Sequence, residues 1–234
     1  MKHSLSLALA GLFCATGAQA FEVTGGSLSL GYSSFVGSSE ATDVSKLSLG
    51  SSMEFALSHQ FALQGDFALT QLDASNTDNL NFGLHAIVHA NESTSVGAYV
   101  GRDRFEGQNL NYFGFEVGHQ AGLIDAEGYV TFAKDGGTDG TVIGIKGDYA
   151  LTGTAMVGAR LDNLNIEGAD TTRFGLTGAV DALPGVTVTG ELGRARIEGL
   201  GSEPYVSVGV KVTFGEKRGT SFERRSIIDL LPGG

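Results

Sequence analysis

The strongest constraint on this chain is a strict alternation of apolar with small or polar residues between Tyr205 and Phe214. On one face, an extended strand would carry Val206, Val208, Val210, Val212 and Phe214, and on the other Ser207, Gly209 and Lys211. Successive residues of a strand point to opposite sides, so the two sets are completely separated. The pattern is typical of a transmembrane β-strand whose apolar face contacts lipid.

The same period-two pattern recurs along the chain and predicts about twelve strands. In the first of them, Leu28, Leu30 and Tyr32 share one face, with serines and glycines between them. Bacterial single-chain barrels have an even number of strands, which leaves ten and fourteen as the alternatives. The predicted fold class is therefore all-β, a transmembrane up-and-down antiparallel β-barrel.

The connections between these strands alternate in length. Residues 58–60 and 90–93 form short turns, whereas residues 33–43 and 101–109 form longer loops rich in Gly, Asn, Asp and Glu. In bacterial barrels the short turns are periplasmic and the longer loops are extracellular. Outward aromatic residues near the strand ends predict two girdles at the membrane interfaces.

The first twenty residues read as a secretory signal peptide. Lys2 and His3 precede a mostly apolar stretch, and Ala18 and Ala20 form a small-x-small cleavage site. Cys14 is the only cysteine, so the mature chain has neither a disulfide nor a Cys-based site. We predict three parts: a signal peptide (residues 1–20), a barrel (residues 21–214) and a periplasmic C-terminal tail (residues 215–234).

Composition narrows the class further. Outside the signal peptide, no apolar run approaches the roughly 18 residues that a transmembrane helix needs, which excludes a helical membrane protein. Glycine supplies 36 of 234 residues and proline only 3, which suits strands whose inward positions must be small. The net charge of −11 argues against a nucleic-acid partner.

A soluble β-sandwich is the alternative fold, because its strands also alternate apolar and polar residues. A sandwich turns its polar face to bulk water and can fill that face with Lys and Glu. The non-apolar faces here are mostly Gly, Ser, Ala and Thr, which suit the concave interior of a barrel.

The inward face must carry the function. With strands about 4.8 Å apart and tilted by about 40°, twelve strands give a backbone radius of about 12 Å, which leaves space beyond small side chains. By parity, the predicted pore-lining residues are Lys46, Glu54, Asp66, His85, Glu116, Asp125, Glu127, Lys146, Asp148, Arg160, Arg173, Glu191 and Lys211.

These charges are unevenly distributed around the predicted barrel. Strands two to seven carry mainly acids, and strands eight to twelve carry most of the bases. Our leading hypothesis is that the two walls set a transverse field across a water-filled constriction. The alternative is that the charges pair and block the lumen, because lumen charges must be hydrated or paired.

The alternating segment at residues 205–214 resembles the closing strand of Gram-negative outer-membrane barrels of the porin type. The resemblance implies an insertion signal, read by the barrel-assembly machinery, at Tyr205, Val208, Val210, Val212 and Phe214. It also implies a small porin-like channel for passive diffusion of small hydrophilic solutes or ions. Outer-membrane lipids and lipopolysaccharide would surround it. The sequence does not decide whether the protein forms a homo-oligomer.

The chain departs from the general porins in two ways. They are larger barrels with a long inward-folded loop, and they end at the final aromatic residue. Here residues 215–234 continue beyond Phe214, with Arg224 and Arg225 before four apolar residues spaced for one helical face, Ile227, Ile228, Leu230 and Leu231. This tail is either a frayed terminus or a short helix docked beneath the barrel, on the inner leaflet or into the periplasmic mouth, where the arginines would meet lipid phosphates or lumen acids.

Two other function classes remain open: a non-conducting structural or adhesive barrel, and an outer-membrane lipid hydrolase. None of the four predicted mature histidines faces lipid beside a serine, and His85 and His89 lie about 13 Å apart along one strand, too far to share a metal. The run at residues 135–140 resembles a calcium loop only in its two carboxylates. We expect no catalytic residues, no cofactor and no bound metal.

Overall fold

The structure is a computed structural model that describes residues 22–36, 45–73, 77–135, 138–166, 169–199, 201–215 and 219–230. The predicted signal peptide, Cys14 and the middle of the proposed calcium-loop run lie outside the described residues. Among the residues that are described, no helix is long and apolar enough to cross a membrane.

The described part of the chain forms twelve antiparallel strands. They are β1 (Glu22–Phe35), β2 (Ser45–Ala56), β3 (Phe61–Leu72), β4 (Thr77–Asn91), β5 (Thr94–Phe105), β6 (Gln108–Ala121), β7 (Ile124–Asp135), β8 (Thr138–Ala150), β9 (Ala155–Ile166), β10 (Ala169–Leu183), β11 (Val186–Ile197) and β12 (Gly201–Phe214). Each strand pairs with the next, and β12 pairs with β1 to close the barrel. The predicted all-β, up-and-down barrel is confirmed, with twelve strands rather than ten or fourteen.

Closure depends on the strand that the sequence marks most strongly. The β1–β12 register runs from Gly26 opposite Phe214 to Phe35 opposite Tyr205. A Cβ atom on Gly26 would lie 2.4 Å from the Phe214 ring, so the final aromatic residue covers a glycine of the first strand. Because this pairing leaves no free edge in the sheet, the backbone of every strand has partners on both sides.

The barrel exterior is an apolar band. Aliphatic side chains such as Leu30, Ile145 and Val208 point outward and are exposed. Exposed aromatic side chains lie near both strand ends: Tyr32, Phe82, Phe113, Phe132 and Phe174 at one end, and Phe61 and Tyr149 at the other. An apolar band between two aromatic belts is the exterior of a transmembrane β-barrel.

The connections are more alike in length than the sequence predicts. Residues 101–109 do not form a long loop, because β5 continues to Phe105 and β6 begins at Gln108. Glu106 and Gly107, with φ values of 50° and 81°, form the turn between them, as a tight type I′ hairpin requires. The alternation continues past Gly101, but its outward residues there are arginines, so a search for apolar faces ends the strand too early.

The interior shows why the chain needs so many glycines. Four inward tyrosines each lie directly across from a glycine of the neighbouring strand, in the pairs Tyr99–Gly114, Tyr112–Gly101, Tyr129–Gly144 and Tyr205–Gly193. A Cβ atom would lie 2.3 Å from the Tyr112 ring at Gly101 and 2.2 Å from the Tyr129 ring at Gly144. The rings therefore lie against the inner wall in space that only glycine leaves free.

We expect Gly101→Ala and Gly144→Ala each to destabilise the barrel by about 1–3 kcal/mol, because the new methyl group must displace a packed tyrosine ring. The measurement is the unfolding midpoint of the refolded barrel, followed by its heat-dependent gel shift. Gly178→Ala is the matched control, since a Cβ atom there meets no heavy atom within 4 Å. Equal midpoints for all three variants would contradict the prediction.

Candidate functional site in the barrel lumen

All thirteen predicted pore-lining residues lie on the inner face of the barrel, but only some of them face open space. Those bordering the lumen cavity are Lys46, Asp125, Glu127, Lys146, Asp148, Arg160, Arg173, Glu191 and Lys211. The other four are almost fully buried: Glu54, Asp66, His85 and Glu116. What buries them is the C-terminal segment, residues 219–230, which we call the lumen segment.

The lumen segment runs inside the barrel. Near its start, the backbone N–H of Ser221 donates to the Glu54 carboxylate at 2.7 Å. Near its end, the backbone N–H of Ile227 donates to the Asp103 carboxylate at 2.7 Å. Phe222 contacts the wall beside Gly97, and Gly97 and Asp103 are six residues apart on β5, about 20 Å along the strand. The segment thus extends from the end holding the barrel termini toward the opposite end.

The segment enters the lumen from the end of the barrel termini, but in the described residues it does not form the docked helix that the sequence allowed. The only helical element in the described part of the tail is one 3₁₀ turn, Ile228–Leu230. Leu231 to Gly234, part of the predicted apolar helical face and its terminator, lie outside the described residues. The segment stays mostly extended because its backbone groups find partners on the barrel wall, so it needs no helix to satisfy them.

Arg225 attaches the segment to the acidic wall. Its guanidinium donates to Glu116 at 3.1 Å and to Glu127, and its central carbon lies 3.9 Å from the centre of the Tyr129 ring. Carboxylates and an aromatic face together are a strong environment for a guanidinium in a site that excludes water. Of the two arginines, Arg225 therefore meets lumen acids, one of the options that the sequence left open.

Behind Glu116, the acidic wall continues as a buried network. The two ring nitrogens of His85 lie 2.6 Å from Glu116 and 2.8 Å from Asp66. An imidazolium ring can donate to both carboxylates at once. The side chain of Gln64 donates to Asp66 at 3.0 Å and to the backbone carbonyl of Phe222 at 3.1 Å. The network thus also contacts the lumen segment directly.

The basic residues of β8 and β9, beside the acidic wall, bind the segment through Glu223. Its carboxylate lies 2.6 Å from the Lys146 ammonium and 3.3 Å from the Arg160 guanidinium. These cations, Lys146 first, hold the pKa of the Glu223 carboxyl well below its ordinary value of 4.5. The lumen segment thus presents a cation to the acidic wall and an anion to the basic wall.

Backbone carbonyls extend the contact with the basic residues. Lys46 donates to the carbonyls of Ile228 and Asp229 at 3.2 and 3.3 Å, and Arg173 donates to the Asp229 carbonyl at 3.1 Å. The two walls that the sequence predicts are both present. Much of their charge is paired through the segment instead of facing the other wall across water.

Apolar side chains cluster in the half of the lumen that lies farther from Glu22 and Phe214. Ile227 and Leu230 of the segment pack in a buried cluster with Tyr99, Tyr112, Ala133, Val142 and Leu164. Phe35, Ala195 and Tyr205 form a second cluster. Apolar constrictions of this kind exclude water from a pore. The lumen is therefore closed more tightly at this end than at the end of the barrel termini.

Open space remains beside the segment. A cavity of about 1290 Å³ is lined by the segment, by charged side chains such as Asp125, Asp148 and Lys211, and by hydroxyl groups of Ser29, Ser207, Thr187 and Thr189. Most of this lining comes from β1 and β7–β12. The segment thus packs against one side of the lumen and leaves a polar cavity on the other.

Sequence reasoning missed Asp103, which it assigned to an exposed loop. Asp103 points inward and is 1% exposed, and it accepts hydrogen bonds from Asn81 at 2.8 Å and Ser226 at 2.9 Å, besides Ile227. The period-two count, carried past Gly101 without requiring apolar residues, would have placed Asp103 inside. The partners of Glu223 and Arg225 have no local signal, because they are distant in sequence.

The proposed insertion signal divides between the two faces of β12. Val208, Val210 and Val212 are exposed on the outside, as the alternation predicts. Tyr205 instead points into the lumen, where it is 1% exposed and its hydroxyl accepts a hydrogen bond from Arg173 at 2.9 Å. Recognition of this strand by the assembly machinery stays a prediction.

Two further histidines bind hydroxyl groups of the barrel. His89 lies 2.8 Å from the Ser95 hydroxyl, and His119 lies 2.9 Å from the Thr94 hydroxyl. Within the described ranges, no group of three or more His, Cys, Asp or Glu side chains could hold a metal ion.

No protein-family model matches the sequence, and no curated protein matches it. Several solved structures are similar in fold. The KdgM porin, solved in complex with disordered oligogalacturonate, has a TM-score of 0.62 at 12% identity, covering 80% of this chain and 99% of that one. The NanC porin has a TM-score of 0.62 at 8% identity, and the match covers 79% of this chain and 98% of NanC. An outer membrane channel from Pseudomonas putida F1 has a TM-score of 0.58 at 15% identity, and the match covers 86% of this chain and 100% of that channel.

At these identities the likeness shows the fold. The chain is a closed twelve-strand barrel that shares the fold of the solved porins, with an apolar exterior and a polar, partly filled lumen.

We expect Arg225→Gln to loosen the lumen segment, because removing one partner leaves Glu116 and Glu127 buried without a cation, a loss of about 3–5 kcal/mol. The probe is a single thiol introduced by Ser226→Cys, since the only native cysteine lies in the predicted signal peptide. A maleimide should label this thiol at least about tenfold faster in the Arg225→Gln background.

Arg224→Gln is the matched control for that experiment. Arg224 is the adjacent arginine, but its ion pair is with Asp229 of the segment itself, at 2.6 Å. The control should leave the labelling rate close to that of the parent. Equal acceleration by both variants would show that the Arg225 contacts with the wall do not hold the segment.

The segment should also respond to acid. Because the native pKa of Glu223 is depressed, its ionisation stabilises docking fully above the ordinary pKa and progressively less as the pH falls toward the native value. A spin label attached through Ile228→Cys should stay immobile at pH 5 and become mobile only well below pH 4.5. In Glu223→Gln, the part of the mobility change that comes from protonation of Glu223 should be absent. Full release of the label near neutral pH would contradict the role of Glu223 in docking.

Proposed function

We propose that this protein is a porin-like outer-membrane channel for passive diffusion of small hydrophilic solutes or ions, restricted by its own lumen segment. The observation that carries the proposal is a cavity of about 1290 Å³, lined by hydroxyl and charged side chains inside a barrel with an apolar exterior. Such an interior is what a water-filled diffusion path requires. The fold shared with solved porins supports it.

The path runs along the side of the lumen that the segment leaves free. Asp125 and Lys211 border it from opposite parts of the barrel, and the serines and threonines of β11 and β12 line it between the charges. Solutes on this path meet both signs of charge and many hydrogen-bonding groups. We propose that such a lining admits polar solutes and rejects apolar ones.

The lumen segment sets the width of the path and narrows its apolar end. Glu223 and Arg225 neutralise charges on the two walls, so the transverse field is weaker while the segment is docked. We infer that undocking would widen the lumen, expose both walls to water and separate Ile227 and Leu230 from the apolar cluster. Export by a cleaved signal peptide and insertion by the barrel-assembly machinery belong to the same proposal.

We expect a chain truncated after Gly215 to conduct several-fold better than the full-length protein, because the segment occupies much of the lumen cross-section. The truncation keeps all of β12, including Phe214. The measurement is single-channel conductance of refolded protein in a planar bilayer, after the heat-dependent gel shift has confirmed folding.

The full-length Arg224→Gln variant serves as the control, because it changes the segment without removing its ion pairs to the wall. Equal steps from the truncated and full-length chains would contradict restriction by the segment. A folded truncated barrel with no conductance would contradict the channel itself and favour the structural or adhesive alternative.

A further inference from the structure

Side chains of the barrel wall bind the backbone of the lumen segment as a groove binds an extended peptide. Gln64 accepts a hydrogen bond from the N–H of Phe222 at 3.4 Å and donates one to the carbonyl of the same residue at 3.1 Å. Farther along, the carbonyl of Arg225 accepts hydrogen bonds from Asn81 at 3.1 Å and from Tyr112 at 2.6 Å. Contacts of this kind hold a peptide through its main chain and leave selection to the side-chain pockets.

Phe222 occupies an apolar pocket in the inner wall. Its side chain is 1% exposed and packs with Ala62 and Ile87. A Cβ atom on Gly97 would lie 3.0 Å from the Phe222 ring, and one on Gly118 would lie 3.3 Å from it. Two glycines on neighbouring strands therefore leave a recess in the wall that an aromatic side chain fills.

The next pockets are charged and of opposite sign. Glu223 binds the cations of β8 and β9, and Arg225 binds the carboxylates of β6 and β7. Ile227, two positions beyond Arg225, is 3% exposed and packs in the apolar cluster with Tyr99. Because a buried charge without a partner is costly, the two charged pockets disfavour neutral side chains. The wall thus selects an acid, an arginine and an aliphatic residue in a fixed order and spacing.

The cavity beside the segment gives a second peptide access to these pockets. It reaches turn residues at the end of the barrel termini, among them Gln60, Asn91 and Gly185. Glu223 and Arg225 of the segment border the same cavity. A peptide that enters from this end therefore lies beside the groups that it would have to replace.

We propose that the barrel lumen is a binding site for extended peptides, and that the lumen segment is its tethered occupant. The peptide pattern is an aromatic residue, an acid, any residue, an arginine, any residue and an aliphatic residue. A short flexible tether raises the local concentration of its ligand to the order of millimolar. A free peptide with the same pattern therefore competes at a similar concentration. The inference rests on the proposed function, because it names a ligand class for the same lumen.

The test uses the full-length Ser226→Cys barrel in detergent and a synthetic peptide with the sequence of residues 219–230, GTSFERRSIIDL. A peptide that takes the place of the segment exposes the thiol to maleimide. At millimolar concentration the peptide should speed labelling at least about tenfold. Because labelling is measured without a bilayer, the result is independent of whether the barrel conducts.

Variants of the peptide are the controls, because they leave the barrel and its folding unchanged. The Arg225→Gln peptide should need at least about tenfold more peptide for the same effect, because it leaves Glu116 and Glu127 unpaired. The Arg224→Gln peptide should compete like the parent, since Arg224 pairs with Asp229 within the segment. A scrambled peptide should not compete. Equal acceleration by all four peptides, or by none of them, would overturn the proposal.

A second measurement reads peptide binding directly. A fluorescent copy of the peptide should bind the full-length Arg225→Gln barrel at least about tenfold tighter than the parent barrel, because the segment of the variant occupies the site for less of the time. Equal or weaker binding would overturn the proposal. Should this variant fail the heat-dependent gel shift, the Glu223→Gln barrel takes its place and should change in the same direction.

A lumen segment from a second copy of the chain carries the same pattern, and native mass spectrometry separates the two sources. A bound peptide adds its own mass to a single barrel, whereas exchange of segments between copies produces dimers without added peptide. Single barrels carrying peptide are the expected result. Dimers that form without peptide and dissociate when it is added would assign the site to a second copy and overturn the assignment to a free peptide.

Discussion

The pairing of β1 with β12 is the constraint on which the rest of the structure depends. In lipid, an unpaired backbone amide has no water to bond, so a sheet that spans the membrane must close on itself. Closure orients every strand, and with it one set of alternating side chains outward and the other into the lumen. The apolar exterior, the inward tyrosine–glycine pairs and the two charged walls all follow from that geometry.

Closure also creates a second demand, because charges enclosed in a narrow lumen must be hydrated or paired. Water could hydrate these charges along the whole barrel, but here the C-terminal segment of the chain pairs with some of them. Arg225 binds Glu116 and Glu127, and Glu223 binds Lys146 and Arg160. The same contacts that satisfy the walls also narrow the lumen. Stability and permeability are therefore coupled, because any change that loosens the segment exposes these charges to water.

Much of the barrel could be predicted from the sequence because its information is local. Alternation assigns a residue such as Glu54 or Lys146 to the inner face from its nearest neighbours alone, and the number of alternating segments predicts twelve strands. Alternation was not enough where a strand continued with polar residues on both faces, as β5 does from Arg102 to Arg104. There the missing apolar residues were read as the end of the strand, and Asp103 was assigned to a loop.

What the sequence by itself determined is the closed transmembrane barrel and the identity of its inward residues, because both follow from a two-residue period and the strand pairing that lipid imposes. What only the tertiary structure decided is how those residues are used. The contact between Arg225 and Glu116 joins positions 109 residues apart, and no local pattern specifies such a pair. Whether the terminal residues hang free, dock beneath the barrel or fill the lumen depends on which groups closure leaves unsatisfied. That is settled only when all twelve strands face one another around the same space.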